Sequence, residues 1–421
     1  MLLGELGESP SLEMVNLVFE MKAKGERVIS LAPGDPSFDT PKEIVEVAHR
    51  SMLEGGTHYV GSYGTPDVRK AIVDKARRKN GIAAGTENAI FITAKMAVYA
   101  SLASISEGAY EALIPDPGYF YSEPVILTGG KPVRYRLAPS TFRLDLDEIK
   151  RRTTPKTRAI VINTPSNPTG TVLERGELRE LYDFCQERDM FIISDEAYED
   201  LVYSKEHVSV GSLEKRPERV LSVYTLSKSY SMPGWRAGYI VGPEGRVALV
   251  NKLLEHTVTC FPPFIMHASA YALNEGERFV QEFKREYVKR RKLLEERMAE
   301  ISALRPAEIE GSFYAFPGYA GGMSSRAERG GAPGDRLRLL WRGPPEALLR
   351  LLGGDHRGGD GRDEGVLRGP RAGHGASGQT LKALVDREAR TWASPSGDQE
   401  MHETPRPPRS STAAIVRPSK R

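Results

Sequence analysis

The chain has 421 residues and a formal net charge of only +3 at pH 7. This length allows two or more domains, and so small a charge gives no reason to expect a nucleic-acid partner. The two cysteines, Cys185 and Cys260, lie too far apart for metal-ligand spacing or a disulfide framework, which indicates a reducing compartment. The acidic start does not resemble a signal peptide, and no apolar run is long enough to span a bilayer. We therefore expect a cytoplasmic protein with no metal, membrane or nucleic-acid partner.

Short apolar runs alternate with amphipathic stretches between about residues 85 and 245, as repeated βα units require. Several runs are apolar on both faces, which predicts a mostly parallel sheet covered by helices. Helical spacing of apolar residues predicts a helix over Glu177–Arg188 and a long, charged connector helix over Glu277–Ile301. The predicted strands are Ala89–Thr93, Ala112–Pro115, Val133–Leu137, Ala159–Asn163, Phe191–Ser194, Val220–Tyr224 and Gly238–Val241.

The segment Asn163–Gly170 follows one of these strands and reads Asn-Thr-Pro-Ser-Asn-Pro-Thr-Gly. Its composition is that of an ordinary turn, and this interpretation remains open. The carboxyl edge of such a sheet is, however, where α/β proteins bind ligands. The Asn167 amide could there donate a hydrogen bond to an oxygen of a bound ligand, such as the phenolic oxygen of an aromatic ring.

The segment Ser194–Tyr198 also lies at the end of a strand. Asp195 there is either a helix N-cap or the partner of a pyridine nitrogen, which an adjacent carboxylate keeps protonated. A protonated ring is an electron sink for a carbanion. Tyr198 follows after about one helical turn, on the side of Asp195, and would reach the phenolic oxygen from the flank opposite Asn167.

The segment Tyr224–Gly238 sets Lys228 among small hydroxyl residues, with Arg236 eight positions later, beyond a Pro-Gly turn. A lysine before a turn can project its amine into a cleft and condense with an aldehyde. The hydroxyls of Thr225 and Ser227, together with the planar guanidinium, can hold a phosphate. Pyridoxal phosphate carries both an aldehyde and a phosphate. The alternative for any one lysine is a solvated surface charge.

The three motifs, in this order and spacing, resemble the class I/II aminotransferases, a fold-type I family of pyridoxal phosphate enzymes. The resemblance covers about residues 10 to 320. It implies an α/β fold in which a large domain, with a mostly parallel seven-stranded sheet sandwiched by helices, is joined to a small α/β domain.

The resemblance also implies roles for individual residues. Lys228 corresponds to the Schiff-base lysine that later moves the proton between the substrate and the cofactor. Asp195 corresponds to the pyridinium partner, and Asn167 and Tyr198 to the phenolate partners, with Asn167 also near the substrate. The phosphate clamp corresponds to Arg236, Thr225 and Ser227.

Further correspondences are weaker. Gly34 lies in a segment similar to the family's substrate loop, although a simple Pro-Gly turn would read the same. Tyr119 matches the aromatic residue that stacks on the cofactor ring, or is merely packed. Tyr59 matches the tyrosine that reaches the phosphate of a neighbouring subunit, which implies a homodimer with a shared active site. The family's Gly-rich phosphate loop is replaced by a variant loop that includes Thr93, Ala94 and Lys95.

The resemblance implies an N-terminal segment with the substrate loop (1–35), a large cofactor-binding domain (36–285) and the start of a small domain (286–325). The composition then changes to an atypical Arg/Gly/Pro-rich tail (326–421). The tail contains neither Tyr nor Phe, and Ile415 is its only isoleucine, so it cannot bury much apolar area and is predicted to be mostly disordered. We hypothesise a reading-frame shift near Ser324 to Arg326; a native extension is the alternative. The family's carboxylate-binding arginine has no clear counterpart, Arg338 being the nearest candidate.

The sequence thus predicts an aminotransferase that moves an amino group from an L-amino acid to a 2-oxo acid by a ping-pong mechanism, impaired by its C-terminal tail. A lyase or decarboxylase of the same fold is one alternative. A non-catalytic pyridoxal phosphate-binding protein, with the tail as an interaction segment, is the other.

Overall fold

A computed structural model describes residues 16, 18–21, 23–25, 34–106, 108–302, 304–305, 308–319 and 339–340. The predicted N-terminal segment lies largely outside these residues, as does the predicted tail apart from residues 339–340. The strands are β1 (Ala89–Phe91), β2 (Glu111–Asp116), β3 (Lys131–Arg136), β4 (Thr157–Asn163), β5 (Phe191–Asp195), β6 (Val220–Thr225), β7 (Gly238–Val241), β8 (Leu304–Arg305), β9 (Tyr314–Ala315), β10 (Gly318–Tyr319) and β11 (Leu339–Leu340).

The helices flank the sheet that seven of these strands form. They are α1 (Lys42–Leu53), α2 (Pro66–Arg78), α3 (Ala94–Ile105), α4 (Ser122–Leu127), α5 (Leu146–Arg152), α6 (Arg175–Glu187), α7 (Leu226–Ser229), α8 (Glu244–Glu255), α9 (Pro263–Glu275) and α10 (Glu277–Ala299). In the part of the chain that the structure describes, no helix is both long enough and apolar enough to cross a membrane.

Seven strands form one sheet in the order β1-β7-β6-β5-β4-β2-β3. Strands β2 to β6 run parallel wherever they pair, and β7 is antiparallel to both of its neighbours, β1 and β6. This confirms the predicted fold class and the seven predicted strands. The carboxyl ends of the parallel strands therefore meet at one edge of the sheet, together with the start of β7. Residues that follow these strands can form a functional site at this edge.

The central strands are buried because both faces are covered, which explains their continuous apolar runs. On one face, Ile160 of β4 and Ile192 of β5 belong to a core cluster with Leu178 and Leu181 of α6. Helix α3 packs against β4 to β7. Together these contacts fix the positions at which the strands end.

Helix α10 confirms the predicted long helix and differs from the others by being mostly charged. Its apolar stripe buries Phe279, Phe283 and Tyr287. Phe283 stacks on Phe38 with ring centroids 4.4 Å apart. The helix therefore contacts the N-terminal loop that precedes α1.

The segment 308–316 crosses back over the loop that follows β4. The amides of Glu310 and Gly311 donate to the carbonyl of Gly170 at 3.1 and 2.8 Å, and the amide of Ser312 donates to that of Leu201 at 2.7 Å. Strand β8, which precedes this segment, pairs with β10, which follows it, and β9 within the segment pairs with β11. This docking places β9 beside the carboxyl edge of the large sheet.

Candidate active site

The predicted site residues lie at the carboxyl edge of the sheet because of the strand register. Asn163 at the end of β4 pairs with Asp195 at the end of β5. Strand β6 ends at Thr225, directly before the short helix α7 that carries Lys228. Segments far apart in the sequence thus converge on one edge of the sheet, the usual location of a ligand site in an α/β protein.

Lys228 is half-buried, and its amine faces aromatic rings and a loop carbonyl. Thr225 caps α7, since its side chain accepts a hydrogen bond from the Ser227 amide at 3.1 Å. The Lys228 Nζ donates to the carbonyl oxygen of Gly34. It also lies 6.0 Å from the ring centre of Tyr198 and 5.5 Å from that of Phe313. The structure therefore brings the predicted lysine and the predicted substrate loop into contact.

Asp195 is buried, and its carboxylate is held by two donors. The Tyr121 hydroxyl donates to Oδ2 at 2.7 Å, and the Ala197 amide donates to Oδ1 at 3.2 Å. Burial raises the pKa of Asp195 above its ordinary value, although these hydrogen bonds and the charge of Lys228 act in the opposite direction. Burial and the neighbouring carboxylate also raise the pKa of Tyr121, so its hydroxyl stays a donor.

Asn167 and Tyr198 come together, as their predicted common role requires. The Asn167 Nδ2 donates to the Tyr198 hydroxyl at 3.5 Å and to the Tyr314 hydroxyl at 3.3 Å. The two tyrosine hydroxyls are 2.7 Å apart. All three side chains are buried. Residues 197–200 form turns, and not the helical turn expected after Asp195, so Tyr198 reaches this group through the turn geometry.

A corner suited to an anion lies where β1, β6 and β7 meet. The Arg236 guanidinium donates to the Thr93 Oγ1 at 3.0 Å, and the Thr225 hydroxyl donates to the Ser227 Oγ at 2.9 Å. Thr93 stands at the N-terminus of α3 without capping it, and Ala94 and Lys95 form the first turn. Backbone amides and a positive dipole end face outward at such a position.

Gly238 borders this corner and is closely packed against backbone. A Cβ at this position would lie 2.5 Å from the Tyr224 carbonyl oxygen, 2.9 Å from that of Ile92 and 3.1 Å from the Ala94 nitrogen. The start of β7 therefore needs a residue without a side chain so that the first turn of α3 can approach closely.

The two remaining predicted residues, Tyr119 and Tyr59, lie in different surroundings. The ring of Tyr119 is edge-on to that of Tyr121 at 5.6 Å, and so lies close to Asp195. Tyr59 is 87% exposed, after the end of α1. Tyr59 is thus placed on the surface of this chain.

Buried charges behind the turn fix the segment that carries Asp195 and Tyr198. Glu196 accepts from His207 at 2.9 Å and from Ser209 at 2.6 Å; burial alone would raise its pKa, but these contacts lower it. Glu199 pairs with Lys75 of α2. Glu196, Glu199 and His207 form a group of metal-ligand type among the described residues, but their carboxylates already accept from these donors. The group therefore anchors the turn.

The motifs did not single out two tyrosines that complete the site, Tyr121 and Tyr314. Tyr121 follows two residues after Tyr119, and Tyr314 lies in the segment Gly311–Pro317, in which the family resemblance is still clear. Their partners are 74 and 116 residues away along the chain. A sequence pattern does not predict a contact between residues so far apart along the chain. The contact follows from the order of the strands in the sheet.

A mostly parallel seven-stranded sheet with a lysine-bearing turn at its carboxyl edge is the framework of the fold-type I pyridoxal phosphate enzymes, and the fold of this chain falls in that class. Comparisons with known proteins narrow the class to a family. The family description "Aminotransferase class I and II" matches residues 26–327.

Several relatives bear this out. An aspartate aminotransferase of Pyrococcus abyssi is 38% identical over 321 residues, covering 73% of this chain and 82% of that protein. Aromatic-amino-acid aminotransferase 2 of Thermococcus litoralis is 39% identical with the same coverage. A solved structure of Thermus thermophilus aspartate aminotransferase with maleate superposes with a TM-score of 0.77 at 30% identity, covering 82% of this chain and 95% of that one.

The chain belongs to the class I and II aminotransferase family. It is therefore a transaminase, with an amino acid and a 2-oxo acid as its classes of substrate. The family uses pyridoxal phosphate for amino-group transfer.

Proposed function

We propose that this chain binds pyridoxal phosphate covalently through Lys228 and transfers an amino group from an L-amino acid to a 2-oxo acid in two half-reactions. The convergence at the sheet edge carries this proposal. The Lys228 amine lies 6.0 Å from the ring of Tyr198, whose hydroxyl is bonded to Asn167. The charge of the same amine acts on Asp195. An amine, a buried acid and a donor pair thus converge at one edge of the sheet.

The residues present fit pyridoxal phosphate group by group. Asp195, a buried acid with a raised pKa, suits a protonated ring nitrogen, because a cation in direct contact with the carboxylate would offset the cost of its burial. Asn167 and Tyr198 provide donors for a phenolate oxygen. The N-terminus of α3 and the Arg236 guanidinium beside Thr93 suit a phosphate.

The bound cofactor would supply an aldehyde for the amine and a protonated ring that accepts electrons from the substrate α-carbon. Residues of the chain itself would transfer the proton and hold the reacting groups in position. Lys228 Nζ would take the proton from the substrate α-carbon and pass it to the carbon of the cofactor's aldehyde group. Asp195 holds the ring nitrogen in its protonated form, and Tyr121 holds the carboxylate of Asp195 in place. Gly34 offers a backbone without a side chain beside the amine, so that a substrate carboxylate can approach.

Borohydride reduction followed by peptide mapping tests the covalent assignment. We expect a reduced cofactor label on the peptide that contains Lys228, and none in a Lys228→Ala variant. A label on another lysine, or no label on a protein that binds the cofactor, would refute the proposal.

Product analysis with and without a 2-oxo acid separates transamination from the lyase and decarboxylase alternatives. Only transamination requires an acceptor for repeated turnover. Relatives named for aspartate and for aromatic amino acids place these donors first in the substrate panel. A change in cofactor absorbance on adding an amino acid would argue against a silent binding protein.

We also propose a cytoplasmic homodimer in which Tyr59 reaches the partner's phosphate. Tyr59 is 87% exposed and Leu53, six residues earlier, is 76% exposed, so this surface carries large side chains that a second copy would cover. Analytical ultracentrifugation tests the oligomeric state. A Tyr59→Phe variant should remain a dimer and bind the cofactor more weakly; unchanged cofactor affinity would remove the role given to Tyr59.

A further inference from the structure

The Tyr314 hydroxyl lies against both residues that are proposed to hold the phenolate oxygen. It is 2.7 Å from the Tyr198 hydroxyl and 3.3 Å from the Asn167 Nδ2. Tyr314 is 1% exposed, Tyr198 4% and Asn167 5%, so the three groups meet out of contact with bulk water. We propose that Tyr314 is a positioning residue that directs the Tyr198 hydroxyl and the Asn167 amide toward the cofactor's phenolate oxygen. This inference rests on the proposed function.

The hydrogen count in this group decides who donates to whom. A phenol has one hydrogen to donate and a primary amide has two. If Tyr198 gave its hydrogen to Tyr314, it would have none for a phenolate. The arrangement that serves a phenolate runs from Asn167 to the Tyr314 oxygen, and from the Tyr314 hydrogen to the Tyr198 oxygen. With the cofactor bound, the Tyr198 hydrogen and the Asn167 hydrogen that here makes the long 3.5 Å contact with Tyr198 would turn toward the phenolate oxygen.

A chain of this kind strengthens its last donor. A hydroxyl that accepts a hydrogen bond becomes polarised and donates more strongly, by roughly 10–30% per bond. Tyr314 therefore increases the negative charge that Tyr198 can stabilise, although the Tyr314 hydroxyl itself need not touch the cofactor. Tyr314 acts through its neighbour and is not a catalytic residue.

The backbone around Tyr314 is fixed tightly enough for this role. Ser312 adopts a positive φ of 58°, and its hydroxyl donates to the Ser166 carbonyl at 3.2 Å. The Tyr203 hydroxyl donates to the Ser312 carbonyl at 2.5 Å. Ser166 immediately precedes Asn167 in the chain. The segment that carries Tyr314 is therefore bonded directly to the loop that carries Asn167, which sets the distance between the two side chains.

The visible absorbance of the bound cofactor tests the inference, because its pH midpoint reports how well the phenolate oxygen is stabilised. When the donors are weaker, the phenolate oxygen is less stabilised and the proton next to it is bound more tightly. The pH midpoint of the absorbance change therefore rises. We expect a Tyr314→Phe variant to raise the midpoint by about 0.5 pH unit, and a Tyr198→Phe variant to raise it further. Incorporation of 3-fluorotyrosine at position 314, a stronger donor of nearly the same shape, should lower it.

A Tyr203→Phe variant is the matched control, since it removes a buried hydroxyl that holds the same segment without touching Tyr198 or Asn167. It should leave the midpoint unchanged. An unchanged midpoint in the Tyr314 variants, alongside a shifted one in Tyr198→Phe, would overturn the inference and leave the proposed function standing. An equal shift in Tyr203→Phe would also overturn it, because segment docking would then be the cause. Failure of the wild-type protein to give a reducible cofactor at Lys228 would instead overturn the proposed function.

Discussion

At the scale of single residues, Asp195 combines burial with a negative charge, which is unfavourable until a cation arrives. Its hydrogen bonds from Tyr121 and Ala197 reduce this cost without removing it, since the pKa of the carboxyl remains above the ordinary value of 3.8. The Asp195 carboxylate, which would bind the ring nitrogen, is therefore destabilised in the protein without the cofactor. Such strain at a functional position is a common exchange of stability for activity.

This gives a prediction for the cofactor-free protein. The folded chain binds a proton at Asp195 more tightly than the unfolded chain does, so ionisation of Asp195 costs stability as the pH rises from 3.8 through the raised folded pKa. Above the raised folded pKa the whole cost is present, and an Asp195→Asn variant should there unfold with a free energy higher by about 1 kcal/mol. The gain should shrink as the pH falls toward 4. Urea unfolding at several pH values measures it.

The matched control for Asp195 is Asp189, whose side chain is 96% exposed. Asp189→Asn removes only a surface ion pair with Arg219, and should change the free energy of unfolding by less than about 0.5 kcal/mol at every pH. A loss of stability in Asp195→Asn at pH 7, or a gain independent of pH, would contradict the argument from burial.

The sequence was sufficient to predict the residues of the site that directly follow strands. Asn167, Asp195 and Lys228 come after apolar runs whose parallel arrangement is itself predictable, so their convergence could be expected. Tyr121 and Tyr314 could not be predicted in the same way, because their contacts depend on which strands are neighbours in the sheet and on how segment 308–316 folds back. Three-dimensional neighbours of this kind leave no periodic signal in one sequence.

At the scale of secondary-structure elements, the start of β7 determines how closely α3 approaches the anion corner. A Gly238→Ala variant would place a methyl group 2.5 Å from the Tyr224 carbonyl oxygen, and one of the elements has to move. We expect a loss of about 1–3 kcal/mol in the free energy of unfolding, together with weaker cofactor binding. Urea unfolding and a cofactor titration measure the two effects.

Gly245 in α8 provides the comparison, because a Cβ there meets nothing within 4 Å. Gly245→Ala should stabilise the protein by about 0.5–1 kcal/mol, since alanine favours a helix over glycine. Equal effects at the two glycines would show that local crowding at Gly238 has been misjudged.

The ion pair between Lys75 of α2 and Glu199 joins a helix to the turn that carries Tyr198. Both side chains are almost fully buried, at 3% and 6% exposure. A Lys75→Met variant would leave a buried carboxylate without its cation, and we expect a loss of about 3–5 kcal/mol in the free energy of unfolding. Chemical denaturation measures this loss, and a Lys75→Met/Glu199→Met double variant should recover part of it.

Lys70 is the control on the same helix. It pairs with Asp74 at the surface, where its side chain is 74% exposed. Lys70→Met should cost less than about 0.5 kcal/mol. Similar losses at positions 70 and 75 would mean that the buried pair does not anchor the turn.

At the scale of the whole molecule, the large domain follows the family closely and the C-terminal sequence does not. The family match ends at residue 327, where the composition also changes. The described part contains the proposed cofactor contacts but no arginine at the family's carboxylate-binding position, and the candidate Arg338 lies outside the described residues. The predicted domain boundaries at 285 and 325 stay predictions.

We predict that the 421-residue chain loads the cofactor but turns over slowly. Loss of a bidentate arginine contact costs about 2–5 kcal/mol, or roughly two to three powers of ten in kcat/KM. A chimera that joins residues 1–319 to the C-terminal segment of the Pyrococcus abyssi relative should recover that factor. Steady-state kinetics of the two proteins, each normalised to the reducible cofactor at Lys228, measure the difference. Equal rates would remove the role given to the tail, and resequencing of the gene tests the frame-shift hypothesis directly.

The contact between the Lys228 amine and the Gly34 carbonyl has a consequence for the order of events. One amine cannot donate freely to a backbone oxygen while it is engaged in covalent chemistry, so occupation of the lysine leaves that oxygen without its donor. The ammonium group of an arriving amino acid is a suitable replacement. With the cofactor attached, the Lys228 nitrogen would be engaged before any substrate arrives, so loading of the cofactor is the event that would leave the Gly34 carbonyl available to the substrate's ammonium group.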